Sequence, residues 1–576
     1  MAANLNPCIS LPISLGENDF QDLIQKVKDW TIMHGGGMRS KTQFSDDSLT
    51  VVPFTLLPSV FPRSEFQKAV AIQPALNELT HRVSNDHEFL FSCLEKTIEV
   101  DEFTRNLFKL YETMRNEGFT QPRCLGLLRS DYLLDVCNST SVKQVEMNTI
   151  ASSFAGLTSS APTHRFVFQQ LGLLNKLSVL PVNNALQGLS SAIIKAWELF
   201  NEKDSVILVI IENQSMNICD QRFHQFEIAR QRPEIKVIVK TLTQMSNEAK
   251  LSDSKSLLVQ GKKVAVVYYR AGYSPDHYFG EAEWSARLMI ERSTAIKCPN
   301  IQYHLAGTKK VQQALATPGT LERFVKDPKK AAEIRKVFTG LYALDLDENG
   351  DKAVQMALDS PDRFVLKPQR EGGGNNLYGE DIRKKLISCM KSKERSAWIL
   401  MDKINPPVQK NYLIRPNQDF KKNSALCEVV SEMGIFGTIL CDGDEILINK
   451  QVGHMMRTKL TSCNEGGVHA GDDAADIVVT ETEPSIDHET HSPENQYGEY
   501  TDYYELISKS TNIEKEAPIE ICSSINLVAA DVVVVETETS TEFIDNQYDE
   551  LIAISTNNDL KSPIETYKNT FGNECM

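Results

Sequence analysis

The ten residues KPQREGGGNN, Lys367 to Asn376, set three consecutive glycines between a lysine, a glutamate and two asparagines. Glycines let backbone N–H groups approach a phosphate without a Cβ in the way, and successive amides form an anion-binding concavity. Lys367 ends the predicted strand RFVLKP and is a point charge suited to a phosphate oxygen. Glu371 repels phosphate, but it suits Mg²⁺, which bridges one or two carboxylates to nucleotide phosphates. The run fits neither the P-loop nor the dinucleotide fingerprint. A plain turn with solvated charges is the competing reading.

The stretch SVKQVEMNTI (Ser141 to Ile150) alternates, which predicts Gln144, Glu146 and Asn148 on one strand face and Val145 and Met147 on the other. Glu146 and Asn148 together offer a carboxylate and an amide oxygen to one ion, with a merely polar sheet face as the alternative. Arg129, Arg270, Lys309, Arg457 and Lys459 are the basic residues suited to meeting carboxylates or phosphates, arginine through its bidentate fork, with a plain surface ion pair as the competing reading for each. There is no GxSxG elbow to present a serine nucleophile. Twelve cysteines are scattered without a CxxC pair, and no His/Cys/Asp cluster has metal-ligand spacing, so reduced thiols are expected rather than a zinc or redox site. These residues together point to Mg-nucleotide chemistry on an anionic substrate.

The elements that must position them read as α/β. SVILVII (Ser205 to Ile211) is a buried-strand run, ICDQRFHQFEIARQ is helical, and IKVIVK and VAVVYYR are further strands. Strand–helix–strand alternation favours a parallel sheet. AWILMDKI reads as a strand, and GIFGTILCDGDEILINK as a hairpin with Asp442-Gly443 at its turn. The chain of 576 residues is long enough for several domains. No apolar run approaches the roughly 20 residues of a spanning helix, and the N-terminus lacks the basic and long apolar segments of a secretory signal.

Charge is unevenly spread. From Asp472 onward there are 24 acidic and 4 basic residues, leaving 53 acidic against 57 basic before it. The near-neutral body offers no clustered basic face for nucleic acid. The acidic stretch repeats itself, ELISKSTNIEKEAPIE returning as ELIAISTNNDLKSPIE and DIVVTETE as DVVVVETE. Two copies are too few for a solenoid, and such charge favours disorder. Segments around Tyr504 and Tyr548 are the alternative, as docking sites for an unknown partner.

In their order, the segments LLRSDYLLD, VEMNTIASSFAGL, NICDQR, YYRAGYSP, LAGTKKVQQ, RFVLKPQREGGGNNLYGE, ILMDKI, SEMGIFG, VGHMMRTK and GGVHAG closely resemble eukaryotic glutathione synthetases, members of the ATP-grasp ligases. The resemblance covers about positions 20–471. It implies an α/β, ATP-grasp fold whose N- and C-terminal parts surround a central parallel substrate domain. The corresponding boundaries are 1–204, 205–310 and 311–471, with 472–576 as the acidic tail. It also implies a cytoplasmic homodimer that uses ATP and Mg²⁺ to join γ-glutamylcysteine to glycine through an acyl phosphate, giving glutathione, ADP and phosphate.

By the same resemblance, Glu146, Asn148 and Glu371 match magnesium ligands. Glu146, Lys309, Lys367, Pro368, Gln369, Arg370, Glu371, Gly372, Gly373, Gly374, Asn375, Asn376 and Tyr378 match the ATP site. So do Met401, Asp402, Lys403, Ile404, Glu432, Lys459 and Glu465. Arg129, Ala151, Ser152, Ser153, Phe154, Ser215, Met216, Asn217, Gln221, Arg270, Tyr273, Arg457, Val468 and His469 match the peptide and acceptor side. Arg129 is the candidate for stabilising charge on the attacked carbonyl. The chain departs from the family at Ala151, where serine is usual, and at Ser215-Met216, where Glu-Arg is usual. Glu465 stands for aspartate, and GGVHAG for GGVAAG. His469 in particular raises a ligase for another amine, such as β-alanine, as an alternative. A non-catalytic interaction protein on the same scaffold is a third reading, and the tail from residue 472 is expected to be dispensable for ligation.

Overall fold

A computed structural model describes residues 15–464 except 41–42, 138–139, 161–162, 372 and 418–425, together with 473–476 and 478–481. Its frame is a mixed sheet of thirteen strands. Val206–Ile210, with four of its five residues β-branched and all of them buried, lies inside the parallel part, as a strand covered on both faces should. The helix Ile218–Gln231 leads from it to Val237–Lys240, which pairs parallel with it. On the other side Lys262–Tyr269, Ile296–Cys298 and Arg123–Asp135 follow, all parallel. The parallel register expected from strand–helix–strand alternation is thus present.

Arg123–Asp135 joins this parallel part to an antiparallel one. One of its edges is taken by Leu426–Asp442, from Arg123 to Tyr132. The other is shared: Ile296–Cys298 meets it at Cys124, and Ser141–Asn148 pairs from Arg129 onward. Two refinements to the sequence reading appear here. The long hairpin Leu426–Asp442/Glu445–Leu460 turns on Gly443 and Asp444, one place beyond the expected pair, because Gly443 takes the positive φ of 56° that a tight hairpin turn requires. A bulge in Ser141–Asn148 sets Glu146 opposite Asp131 but Gln144 opposite Tyr132. The extra residue reverses the alternation, so Gln144 leaves the face that Glu146 and Asn148 share.

A separate antiparallel sheet runs in the order Leu341–Ala343, Trp398–Asp402, Phe364–Pro368, Leu377–Tyr378. The KPQREGGGNN segment connects its last two strands. Two glycines elsewhere allow close approaches that build the site. A Cβ at Gly434 would lie 2.8 Å from Arg129 Cδ and 2.9 Å from Asp131 Oδ1. One at Gly307 would lie 2.2 Å from Thr149 Oγ1, so only glycine lets the turn before Lys309 pack beside Asn148 and Thr149.

Beyond Gly471, Asp473–Asp476 pairs with Glu445–Leu460 and with Phe54–Thr55, and Val478–Glu481 pairs with Ser59–Pro62. The sheet therefore continues past the position at which composition alone starts the tail. The β-branched run in DIVVTETE accounts for the second of these strands, Val478–Glu481. Both copies of the ELISKSTNIEKEAPIE repeat, the second copy DVVVVETE, and Tyr504 and Tyr548 lie outside the described residues. A chain ending at Asp487 is expected to keep the full-length thermal midpoint, whereas one ending at Gly471 should unfold several degrees lower. Thermal unfolding of the two truncations, followed by circular dichroism, checks this; equal midpoints would show the two strands contribute nothing.

Candidate functional site

The site begins on the hairpin of Arg123–Asp135 and Ser141–Asn148, where Arg129 faces Asn148 and Asp131 faces Glu146. Asp131 is fully buried and accepts both arms of the Arg129 guanidinium, Nε at 2.6 Å and Nη2 at 2.8 Å. It also accepts Asn148 Nδ2 at 3.0 Å, and Arg457 Nη2 lies 3.7 Å away. Arg457 forms its closer ion pair with Glu432, directly opposite on the long hairpin, at 2.5 Å. Sequence reasoning omitted Asp131. The available signal was its place two residues beyond Arg129 on one strand, which puts both side chains on one face.

Lys309, first residue of the helix Lys309–Ala316, enters this face from the other side. Its ammonium lies 3.2 Å from Glu146 and 2.9 Å from Glu371, with only 3% of the residue exposed. Burial works to lower the Lys309 pKa, but the two carboxylates outweigh it and hold the group firmly protonated. For Glu146, burial works upward and is overcome by Lys309, Lys367, Arg457 and Arg129, which keep it ionised. Glu371 is pushed up to about 7, chiefly by burial and further by Glu146, against the pull of Lys309. Lys367 donates to the Val145 carbonyl at 3.0 Å, and burial lowers its pKa. Glu432 is raised by burial, with Arg457 opposing. Arg129, Lys309, Lys367 and Arg457 thus face Asp131, Glu146, Glu371 and Glu432 in one compensated cluster.

The glycine-rich connection is pinned at its start and takes left-handed backbone near its tip. Gln369 Oε1 accepts the backbone N–H of Lys310 at 3.1 Å, and Arg370 pairs with Asp101 at 2.8 Å. Gly373 and Gly374 take φ of 73° and 75°, and a Cβ on Gly374 would meet nothing. Asn375 Nδ2 donates to the Gly373 carbonyl at 2.8 Å. Pro368 and Tyr378 end and begin the flanking strands, with Asn376 just before the second. Met401 and Asp402 close the neighbouring strand; Lys403 is exposed and Ile404 buried. Lys459 lies two residues beyond Arg457 and donates to the Asn464 carbonyl at 2.7 Å. Gly372, Glu465, Val468 and His469 lie outside the described residues.

Arg270 organises the second half. It donates to the Ser152 carbonyl and to Ser153 Oγ, each at 2.7 Å, and pairs with buried Asp220 at 3.1 Å. Arg129 Nη1 holds the Ser153 carbonyl at 3.0 Å, so the two arginines grip one short segment from both sides. That segment is bent, with Ala151 and Phe154 at φ of 54° and 76°. Glu212 gathers Ser215, Gln221 and Tyr273, at 3.4, 3.1 and 3.3 Å. Burial, then the Glu212 charge, raises the Tyr273 pKa. Asn217 is buried, with no partner for Nδ2 among the described residues, and the Met216 carbonyl accepts the Arg39 N–H at 2.9 Å. Asp220 and Glu212 were absent from the sequence-based set, although NICDQR contains the first.

A family model described as eukaryotic glutathione synthase, ATP binding domain, matches residues 17–479. A glutathione synthetase from Xenopus laevis is 43% identical over 456 residues, covering 78% of this chain and 95% of that protein. One from Homo sapiens is 40% identical over 460 residues, covering 79% and 96%. The solved structure of a glutathione synthetase-like effector from Globodera pallida, in its apo form, superposes with a TM-score of 0.66 at 27% identity, covering 82% of this chain and all of that one. Fold and family together define an ATP-dependent carbon–nitrogen ligase. The chain belongs to the eukaryotic glutathione synthetase family, whose activity joins γ-glutamylcysteine to glycine.

Because Asp131 balances Arg129 and orients Asn148, Asp131→Asn is expected to lower stability by about 3–5 kcal/mol, the cost of stranding a buried partner charge. Disturbing Asn148 through it should cut ADP release about ten- to a hundredfold. Urea unfolding and coupled ADP assays check both effects, and wild-type values in both would remove Asp131 from the account.

Proposed function

We propose that the cluster around Lys309 is the phosphoryl-transfer site and that Arg129, Arg270 and the Ser152–Ser153 segment hold the dipeptide. The observation that carries this reading is the ammonium of Lys309 lodged between Glu146 and Glu371. A triphosphate brings several negative charges to a cluster that is already balanced. Lys309 and Lys367 would then serve the phosphates, and the carboxylates would need a replacement cation.

The residues present fit Mg²⁺. Glu371 Oε2 is buried with no partner among the described residues. Asn148 spends its N–H groups on Asp131 and the Arg129 carbonyl, which turns the amide oxygen into its free donor atom. Glu146, Asn148 and Glu371 thus supply the hard oxygen ligands that ion takes. When bound, it would neutralise charge on the transferring phosphate.

The chain's own work is positioning and exclusion of water. Arg129, its planar fork already seated on Asp131, presents fixed positive charge toward the dipeptide carboxylate and stabilises charge that develops there. The carboxylate becomes an acyl phosphate, and the glycine amine displaces phosphate to form the peptide bond. No protein nucleophile is required, in keeping with the absence of a serine elbow or triad. The glycine-rich connection, anchored by Gln369 and Arg370 and left-handed at Gly373-Gly374, suits a flap that covers the phosphates and shields the acyl phosphate. Met401–Ile404 would meet the adenine ring, and Lys459 and Glu432 would complete the nucleotide side. By the family resemblance, Glu465 would also belong to the nucleotide side and Gly466 to Gly471 would supply a second cover. We place the enzyme as a homodimer on the family resemblance and in the cytoplasm on its scattered cysteines, which form no CxxC pair. No described helix is long and apolar enough to cross a membrane.

A second reading, another amine as acceptor, is favoured by Ala151, Ser215, Met216 and His469. The structure adds that Ser215 turns its hydroxyl to Glu212. A panel of amines with γ-glutamylcysteine and ATP, scored by ADP release, separates the two. Glycine is expected to turn over fastest; equal or faster turnover with β-alanine would favour the second reading. Glu371→Gln is expected to lower ADP release at least about a hundredfold, the equivalent of ~3 kcal/mol of lost charge stabilisation, and to raise the Mg²⁺ needed for half-maximal rate. Unchanged turnover in that variant would contradict the assignment.

A further inference from the structure

One cluster of reactive side chains lies outside the reaction site. His81, Cys124 and Cys441 are 3%, 5% and 0% exposed, and one ligand atom from each lies within 4.8 Å of the other two. Cys124 on Arg123–Asp135 and Cys441 on Leu426–Asp442 stand directly opposite in the antiparallel register. Sheet pairing therefore brings the two thiols together. His81 comes from the helix Arg63–Ser84, which packs over these strands. Its ring is held by a 2.9 Å hydrogen bond between Nδ1 and the Tyr303 hydroxyl, and that hydroxyl also lies 4.0 Å from Cys441 Sγ. The hydrogen bond between the two sulfurs draws the Cys124 thiol below its ordinary pKa, against burial, and together with burial holds the Cys441 thiol above its own. His81 also lines an open cavity of about 770 Å³ with Arg82, Asn85 and Asp444, which gives the cluster a route to solvent.

We propose that His81, Cys124 and Cys441 form a binding site for a thiophilic divalent cation of the zinc class, separate from the nucleotide site. Two thiolates and an imidazole are a zinc ligand set that leaves one tetrahedral position for water. Soft sulfur ligands select such ions over Mg²⁺. Charge decides between the soft candidates. Two thiolates cancel a divalent charge exactly once, giving a neutral centre, whereas a monovalent ion would leave a net negative charge in the interior. Binding releases the two thiol protons to solvent. Tyr303 acts as the outer partner that orients the imidazole. The bound ion ties the helix Arg63–Ser84 to the two strands that carry Arg129 and Glu432. The ligands come from three distant parts of the chain, which is why spacing rules found no site among the cysteines.

The test uses full-length, metal-free, reduced protein titrated with Co²⁺ as the spectroscopic probe. The expected result is a thiolate-to-cobalt charge-transfer band in the near ultraviolet, saturating at one ion per chain and abolished by added Zn²⁺. Oxygen ligands such as Glu146 and Glu371 give no such band, so the readout is independent of the nucleotide site. The band should vanish in Cys124→Ser and in Cys441→Ser, and persist in Cys137→Ser, which alters an exposed thiol. On the wild-type protein Zn²⁺ should also raise the thermal midpoint, a measurement that needs no variant to fold. Absence of the band in the wild type, or its survival in the Cys124→Ser/Cys441→Ser double variant, overturns the proposal.

Discussion

Asp131 is wholly buried, and it takes both arms of the Arg129 fork, the Asn148 amide and, at longer range, Arg457. A buried carboxylate is tolerable only when its charge and lone pairs are so occupied. The arrangement in turn dictates the backbone around it. Gly434 must lack a side chain because its strand passes directly over Arg129 and Asp131. The hairpin register must set Asp131 against Glu146, and the bulge beside it sends Gln144 to the other face. Position and charge are fixed together before any substrate arrives, which is the condition for electrostatic stabilisation without reorganisation.

From that fixed point the charges alternate outward. Arg457 compensates Glu432, and Lys309 compensates both Glu146 and Glu371. The cluster is balanced but under tension: Glu371 stands near neutrality while Glu146 stays ionised. On the proposed reading, such a cluster would accept a triphosphate together with a divalent cation, because the cation offsets part of the charge that the triphosphate brings. Arg270 extends the same logic to the side proposed for the dipeptide, where it answers Asp220 and holds the Ser152–Ser153 segment that Arg129 also grips.

Much of this was legible in the sequence. The parallel run from SVILVII onward, the long hairpin and the strand before KPQREGGGNN follow from local pattern, which strands carry in their own residues. Glu146, Asn148, Glu371, Lys309 and Lys367 could be named from residue type and family resemblance. The compensating partners could not. Asp131 offered only its place two residues beyond Arg129, while its facing partners follow from register, a property of two strands. Glu212 lies past the end of its strand and acquires meaning only from the residues it gathers. The strands Asp473–Asp476 and Val478–Glu481 were hidden by an acidic composition that says nothing about pairing. The thiol cluster was hidden for the same reason as Asp131, since Cys124 and Cys441 meet only across a register.

The central claim is that a cluster of fixed charges, with no protein nucleophile, activates the dipeptide carboxylate by passing it a phosphoryl group. Ligation with γ-glutamylcysteine carrying ¹⁸O in its cysteinyl carboxylate tests this directly. The account predicts that one ¹⁸O per turnover appears in the released phosphate, carried there through the acyl phosphate. Phosphate released without label while glutathione forms would contradict it.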